Sequence, residues 1–274
     1  MTTDESSGEP RAFDPMTLAE GPKQAFAGMR AGDMASAHMT DVAPGHGFGF
    51  SGAADNIGDA GERRAPVPDD VFGKDNYDHM KDLLKERVSP KRYKHSKGVA
   101  KAAKQLAVVY GYDPKVARMA GILHDWDKGL HVDEIRARAA ELEVDVPAEV
   151  VDNMPWLLHG PTAAAALKLE YPELGDDVFQ AIARHTSGAA DMAPLDCIVY
   201  VADIIEPNRT YGDMSGIQML RDEVGTVPLE RLYFDAFKYT LSFLVAHDRQ
   251  LYPRTIDIWN SLMWRFGFAR SANF

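Results

Sequence analysis

The chain has 274 residues, enough for one large domain or two small ones, and its 45% hydrophobic content supports a real core. A single cysteine, Cys197, excludes an internal disulfide and a cysteine-rich zinc site, and the net charge of −11 argues against general nucleic-acid binding. No apolar run reaches the ~18–20 residues of a membrane span, and the acidic start MTTDESSGEP is the opposite of a secretory signal, so the expected compartment is the cytoplasm.

The charge is unevenly spread. Residues 1–72 carry twelve acidic and five basic side chains, so −7 of the −11 lies there, and the folded remainder is nearly balanced. This first segment is rich in Gly, Pro, Ala and Asp and cannot bury enough apolar surface to offset its ordering entropy. It reads as a disordered extension with a short helix near Met16–Met34, and with His38 and His46 on the surface. Its role stays open between a partner-binding segment, a solubilising one, and a start codon that truly lies nearer Val71 or Met80.

From residue 73 to 270 the pattern is helix after helix, with no convincing period-two stretch. Apolar positions at Tyr77, Met80, Leu83, Leu84 and Val88 predict a helix over Asp75–Val88, and Val99, Ala103, Leu106 and Val109 predict one over Lys94–Tyr110. Asp113 as cap and Pro114 in the first turn start a third, which runs into GILHDWDKG. Further helices are expected at Val132–Glu141, Pro161–Glu170, Asp176–Arg184, Pro194–Ile205, Ser215–Val224, Leu229–His247 and Thr255–Phe266. The fold class is all-α, a single bundle of roughly 200 residues.

Five polar landmarks interrupt these apolar helices: His95, the pair His124-Asp125, His159, His185 and Asp203. Each alone has a plain explanation as a hydrogen-bonded core histidine or a helix-end carboxylate. Together they form an imidazole and carboxylate set without thiolate, which suits iron, manganese, zinc or a related divalent ion. A cation would neutralise Asp125 and Asp203 and hold the histidines neutral, which removes the cost of burying them.

The segments RYKHSKGVA, AGILHDWDK, LLHGPTAA, ARHTSG, VADIIEPNR and LYPRTIDIWN follow one another in an order that resembles the YqeK family of HD-domain symmetrical diadenosine tetraphosphate hydrolases. The resemblance spans about Tyr77 to Asn260 and leaves residues 1–72 unexplained. It implies that His95, His124, Asp125 and Asp203 bind a primary iron. His159 and His185 would serve a second ion bridged by Asp125, or contact phosphate. Manganese or another divalent ion is the alternative metal, in a mono- or dinuclear site.

The catalytic set expected on this basis is Asp125, Lys128 and Arg209. The substrate-binding set is Arg92, Asp125, Trp126, Asp127, Lys128, His159, His185, Thr186, Asp203, Arg209, Arg249 and Tyr252. Arg92 lies three residues before His95 and shares its helical face, and with Lys128 and Arg209 it would clamp polyphosphate oxygens. Surface salt bridges are the plain alternative for these cations. Thr186 and the backbone around Ser187-Gly188 would add neutral donors, and Glu206 would orient a ligand. Asp127 reads as solvated, or as another orienting group. The segment HDRQLYPRT reaches toward the nucleotide in the resembling family, which nominates Arg249 and Tyr252, although a plain loop explains it equally well.

The implied reaction is attack of an activated water on an inner phosphorus of diadenosine tetraphosphate, with release of two ADP. The alternatives are another nucleotide substrate (a nucleoside monophosphate, a cyclic dinucleotide or a guanosine alarmone) and a metal-free nucleotide-binding module. A phosphate loop of the GxxxxGK[ST] type is absent. The partner expected is a small nucleotide, with no nucleic acid and no membrane. The aromatics from Tyr233 to Phe268 are assigned to core packing, a homodimer surface being the other reading.

Overall fold

The structure, a computed structural model, describes residues 70–209 and 213–267. The expectations for residues 1–69, including the helix near Met16–Met34, lie outside this range, as does Phe268. The folded part starts by Asp70 rather than at residue 73. Val71 and Phe72 pack against the core, and Asp70 pairs with Lys115 at 3.0 Å.

In chain order the helices are α1 (Lys74–Arg87), α2 (Pro90–Tyr110), α3 (Pro114–Leu123), α4 (Val132–Glu141), α5 (Ala148–Asn153), α6 (His159–Glu170), α7 (Asp176–Arg184), α8 (Pro194–Ile205), α9 (Met214–Glu223), α10 (Leu229–Ala246) and α11 (Thr255–Phe266). Among the described residues there is no strand, as expected of an all-α chain. Helix α5 and the 3₁₀ turns Pro155–Leu157 and Pro172–Leu174 were not foreseen, because such short elements show no readable period. Two helices begin two or more residues earlier than predicted. Ser89 caps α2 by accepting from the Arg92 amide, so the helix starts at Pro90, and α6 starts at His159.

The ends follow local chemistry. Asp113 accepts from the amides of Lys115 and Val116 at 2.7 and 3.4 Å, a cap that contributes about 1 kcal/mol to α3. Helix α2 stops at Gly111, whose φ of 72° is left-handed.

Helix α8 is apolar all round and buried from Leu195 to Ala202, which makes it the central rod. Helices α2, α7 and α10 pack against it, and α3 lies between α2 and α7. Met119, Ile122 and Leu123 are fully buried on α3, each stabilising by roughly 1.5–3 kcal/mol. A Cβ at Gly121 would come 2.9 Å from the Ala100 Cα, so only glycine lets α3 lie this close to α2. That approach brings the rings of His95 and His124 to 5.4 Å between centroids.

The C-terminal aromatics mostly serve the core. Tyr233, Phe234 and Phe237 are buried, and Tyr239, Trp259 and Phe266 pack on the core surface. Trp264 is exposed. No described helix is long and apolar enough to cross a membrane.

Candidate metal centre

Three of the site histidines sit at helix boundaries. His124 follows α3, His159 opens α6 and His185 follows α7. Each donates its Nδ1 proton to the carbonyl three residues earlier: Gly121 at 2.8 Å, Trp156 at 2.7 Å and Ile182 at 2.7 Å. A carbonyl can only accept, so the bond fixes the tautomer and leaves each Nε2 with a lone pair. His95, in mid-helix, donates Nδ1 to Glu206 at 3.2 Å, which turns its Nε2 toward the same point. The other Glu206 oxygen accepts from the Asn208 amide at 2.6 Å, which holds the carboxylate in place.

The four Nε2 atoms converge on two carboxylates. Asp125 Oδ2 lies 3.1 Å from His124 Nε2 and 3.8 Å from His95 Nε2. Its Oδ1 lies 3.3 Å from His159 Nε2 and 3.8 Å from His185 Nε2. Asp203 Oδ1 lies 3.0 Å from His95 Nε2 and 4.0 Å from His124 Nε2. Two subsets of ligand atoms fall within 4.8 Å of one another: His95, His124 and Asp203, and His124, Asp125 and His185.

These contacts fit a cation and little else. The buried Nε2 atoms of His95 and His124 make no hydrogen bond despite the nearby carboxylates. His159 and His185 bring their Nε2 atoms to 3.0 Å of each other. With both Nδ1 protons given to carbonyls, two lone pairs face each other; the Thr186 hydroxyl, 2.9 Å from His185 Nε2 and 3.3 Å from His159 Nε2, can donate to one of them, and a positive charge alongside would satisfy both. Protonation does not supply that charge. Burial, then the neighbouring His159 and His124, push His185 down to about 3, and burial followed by Lys128 lowers His159.

The carboxylates are charged. Burial opposes this at Asp125, but His124 and Arg92 outweigh it and hold the carboxyl well below the usual range. At Asp203 burial is likewise overcome, by His95 and Arg209. Two charged carboxylates, Asp125 buried and Asp203 at the cavity edge, with imidazole nitrogens around them are the donor set of a divalent-ion site.

The centre opens on one side into a cavity of about 320 Å³. His185, Thr186, Asp203, Lys128 and Arg209 line its polar end, and Trp156, Tyr200, Phe237, Tyr239 and Phe243 line the rest. Arg249 and Tyr252 also line it, so HDRQLYPRT is more than a connecting loop. Tyr252 is buried and its hydroxyl has no hydrogen-bond partner. The aromatic wall was missed in the sequence, where its members carry the same helical spacing as core residues.

Three expected substrate contacts are placed elsewhere. Arg92 lies outside the cavity lining and donates from Nη1 to Asp125 Oδ2 at 3.0 Å. Trp126 is buried against Tyr171 and beneath Arg87. Asp127 is fully buried and neither solvated nor in the cavity, its oxygens taken by Arg87 at 3.0 Å and Arg138 at 2.8 Å. Neither arginine carries a local signal that marks it as a partner.

An all-helical bundle that gathers an adjacent His-Asp pair, three further histidines and a distal aspartate is the architecture of an HD domain, and the family model of that description matches residues 92–208. Two relatives called symmetrical bis(5′-nucleosyl)-tetraphosphatase are each 32% identical. That of Staphylococcus aureus aligns over 68% of this chain and 93% of its own length, and that of Bacillus subtilis over 66% and 94%. A crystal structure of a predicted HD superfamily hydrolase involved in NAD metabolism, from Clostridium acetobutylicum, superposes with a TM-score of 0.63 at 33% identity, over 69% of this chain and 97% of that one. The chain belongs to the YqeK family of HD-domain symmetrical bis(5′-nucleosyl)-tetraphosphatases.

Proposed function

We propose that the protein hydrolyses diadenosine tetraphosphate between its two central phosphates, releasing two ADP, and accepts related dinucleoside polyphosphates. The names of its relatives support the substrate class. The single observation that carries the chemistry is the meeting of four imidazole Nε2 atoms and two charged carboxylates at the polar end of the cavity.

His95, His124, Asp125 and Asp203 would hold the primary ion, and His159 and His185, together with Asp125, would hold another. Iron is the assignment that the family resemblance implies, with manganese or another divalent ion as a substitute, and a donor set without thiolate suits any of them. When bound, a divalent ion supplies a water of lowered pKa and neutralises charge on a phosphoryl oxygen.

The chain does the rest. Lys128 and Arg209 face the cavity beside Asp203 and stabilise the charge that gathers on the phosphoryl oxygens. Arg209 is itself anchored, donating to the Asp203 carbonyl at 2.8 Å. Thr186 adds a hydroxyl at the same wall. The histidine tautomers, fixed by three carbonyls and Glu206, keep every lone pair aimed inward before substrate arrives. Arg92 keeps Asp125 ionised and touches no phosphate. The aromatic wall takes one nucleoside, and a cavity of 320 Å³ is at the small end of the range for such ligands. Water attacks an inner phosphorus in line with the departing oxygen. ADP leaves as an anion and needs no dedicated acid.

Product analysis by anion-exchange chromatography tests the proposal. Two ADP per diadenosine tetraphosphate is the expected result. AMP with ATP, or no turnover in the presence of iron or manganese, would refute it.

A further inference from the structure

The turn Asp125-Trp126-Asp127-Lys128-Gly129 splits its side chains between two sides. Asp125 enters the metal centre and Lys128 enters the cavity, while Trp126 and Asp127 point back into the protein. Burying a carboxylate between two guanidinium groups costs several kcal/mol in desolvation, and an apolar residue would often serve folding as well. The pattern of contacts gives a reason for it. Arg87, at the end of α1, donates to Asp127 Oδ1 at 3.0 Å and to the Trp126 carbonyl at 3.3 Å, and stacks 4.4 Å from the Trp126 ring centroid. Arg138, from α4, donates to Asp127 Oδ2 at 2.8 Å. A Cβ at Gly129 would collide with the main-chain oxygen of Arg87, so the chain passes α1 with no room for a side chain. Two helices thus grip the residue immediately before Lys128.

We propose that Asp127, clamped by Arg87 and Arg138, is a positioning residue that fixes where Lys128 enters the cavity and so sets its contact with the transferred phosphoryl group. The inference rests on the phosphate-binding role given to Lys128 above. The turn is also held by its buried neighbours Asp125 and Trp126. It is closed by the Lys128 amide to the Asp125 carbonyl at 3.0 Å and the Leu130 amide to the Asp127 carbonyl at 3.2 Å. Without the clamp Asp127 no longer anchors the turn to α1 and α4, and a displacement of the ammonium by about 1 Å costs as much as 10²-fold in rate.

A double-mutant cycle tests this. Asp127→Asn, Lys128→Ala and the double variant are compared for kcat and KM on diadenosine tetraphosphate, with metal content and thermal midpoint measured on each. Asp127→Asn should lower kcat/KM about 10- to 100-fold with metal content unchanged. In the Lys128→Ala background the same change should cost no more than about 2-fold, because the residue acts through a side chain already removed. If the two losses multiply, or if Asp127→Asn lowers only the thermal midpoint, the positioning role is overturned while the role of Lys128 stands. If Lys128→Ala is itself silent, the reading of Lys128 fails and the inference with it. Should Asp127→Asn not fold, Arg138→Gln removes one half of the clamp and must show the same non-additivity with Lys128→Ala.

Discussion

Loading the metal-free protein with a divalent ion should expel a proton from His95. Burial opposes charge on this ring, but Asp203 at 3.0 Å and Glu206 at 3.2 Å outweigh it and raise the imidazole to about 9. At neutral pH the empty site therefore holds His95 as imidazolium, whereas a metal ligand must be neutral. Each pH unit below the pKa weakens apparent metal affinity about 10-fold, so the loss at pH 7 is about 100-fold relative to the plateau above pH 9. Affinity rises with pH through this window and levels off above it. Glu206→Gln removes one of the two carboxylates that raise the pKa, so the slope between pH 7 and 9 flattens. Loss of the anion that orients His95 costs a further 10- to 100-fold, roughly, in intrinsic affinity. Calorimetric titration of the apoprotein with Mn²⁺, in two buffers of different ionisation enthalpy, reads both quantities. About one proton should leave per primary ion at pH 7 to 8. No proton release together with pH-independent affinity would refute the reasoning.

Other outcomes follow from the same geometry. His95 binds its proton more tightly folded than unfolded, so it stabilises the metal-free protein by on the order of 3 kcal/mol below about pH 6.5, and this is lost as pH rises through about 9. Denaturant midpoints of the apoprotein at pH 6 and pH 9.5 should differ accordingly, and equal midpoints would contradict the shift. Removing either cavity cation, by Lys128→Ala or Arg209→Ala, should lower kcat about 10²-fold while elemental analysis finds the metal retained. Phe243→Ala, at the aromatic wall, should raise KM by about 3- to 10-fold with little change in kcat, the size of one lost aromatic contact.

Helix limits were legible where their signals are local. Asp113-Pro114 announced α3, and Ser89-Pro90 holds an equally local cap that places the start of α2 before the apolar period begins. The clustering of the histidines was legible because each stands beside an apolar helix. Arg92 was correctly put on the face of His95, but its partner Asp125 lies 33 residues away on another element, so a phosphate role was inferred where an ion pair forms. Asp127 left two readings open, solvated or orienting, for a similar reason. Its partners stand 40 and 11 residues off, and nothing in DWDKG distinguishes a buried acid from a solvated one. The cavity wall was invisible because Trp156, Tyr200, Tyr239 and Phe243 come from different helices and turns and share the spacing of core aromatics. Only packing separates a residue that faces a cavity from one that faces another side chain.

The account stands on an ion at the meeting point of these helices. Anomalous diffraction from crystals of the iron-loaded protein, collected at the iron edge, tests it most directly. The predicted result is a strong peak within coordination distance of His124 Nε2, Asp125 and Asp203. A map with no peak there, or with iron bound only elsewhere on the molecule, would contradict the central claim.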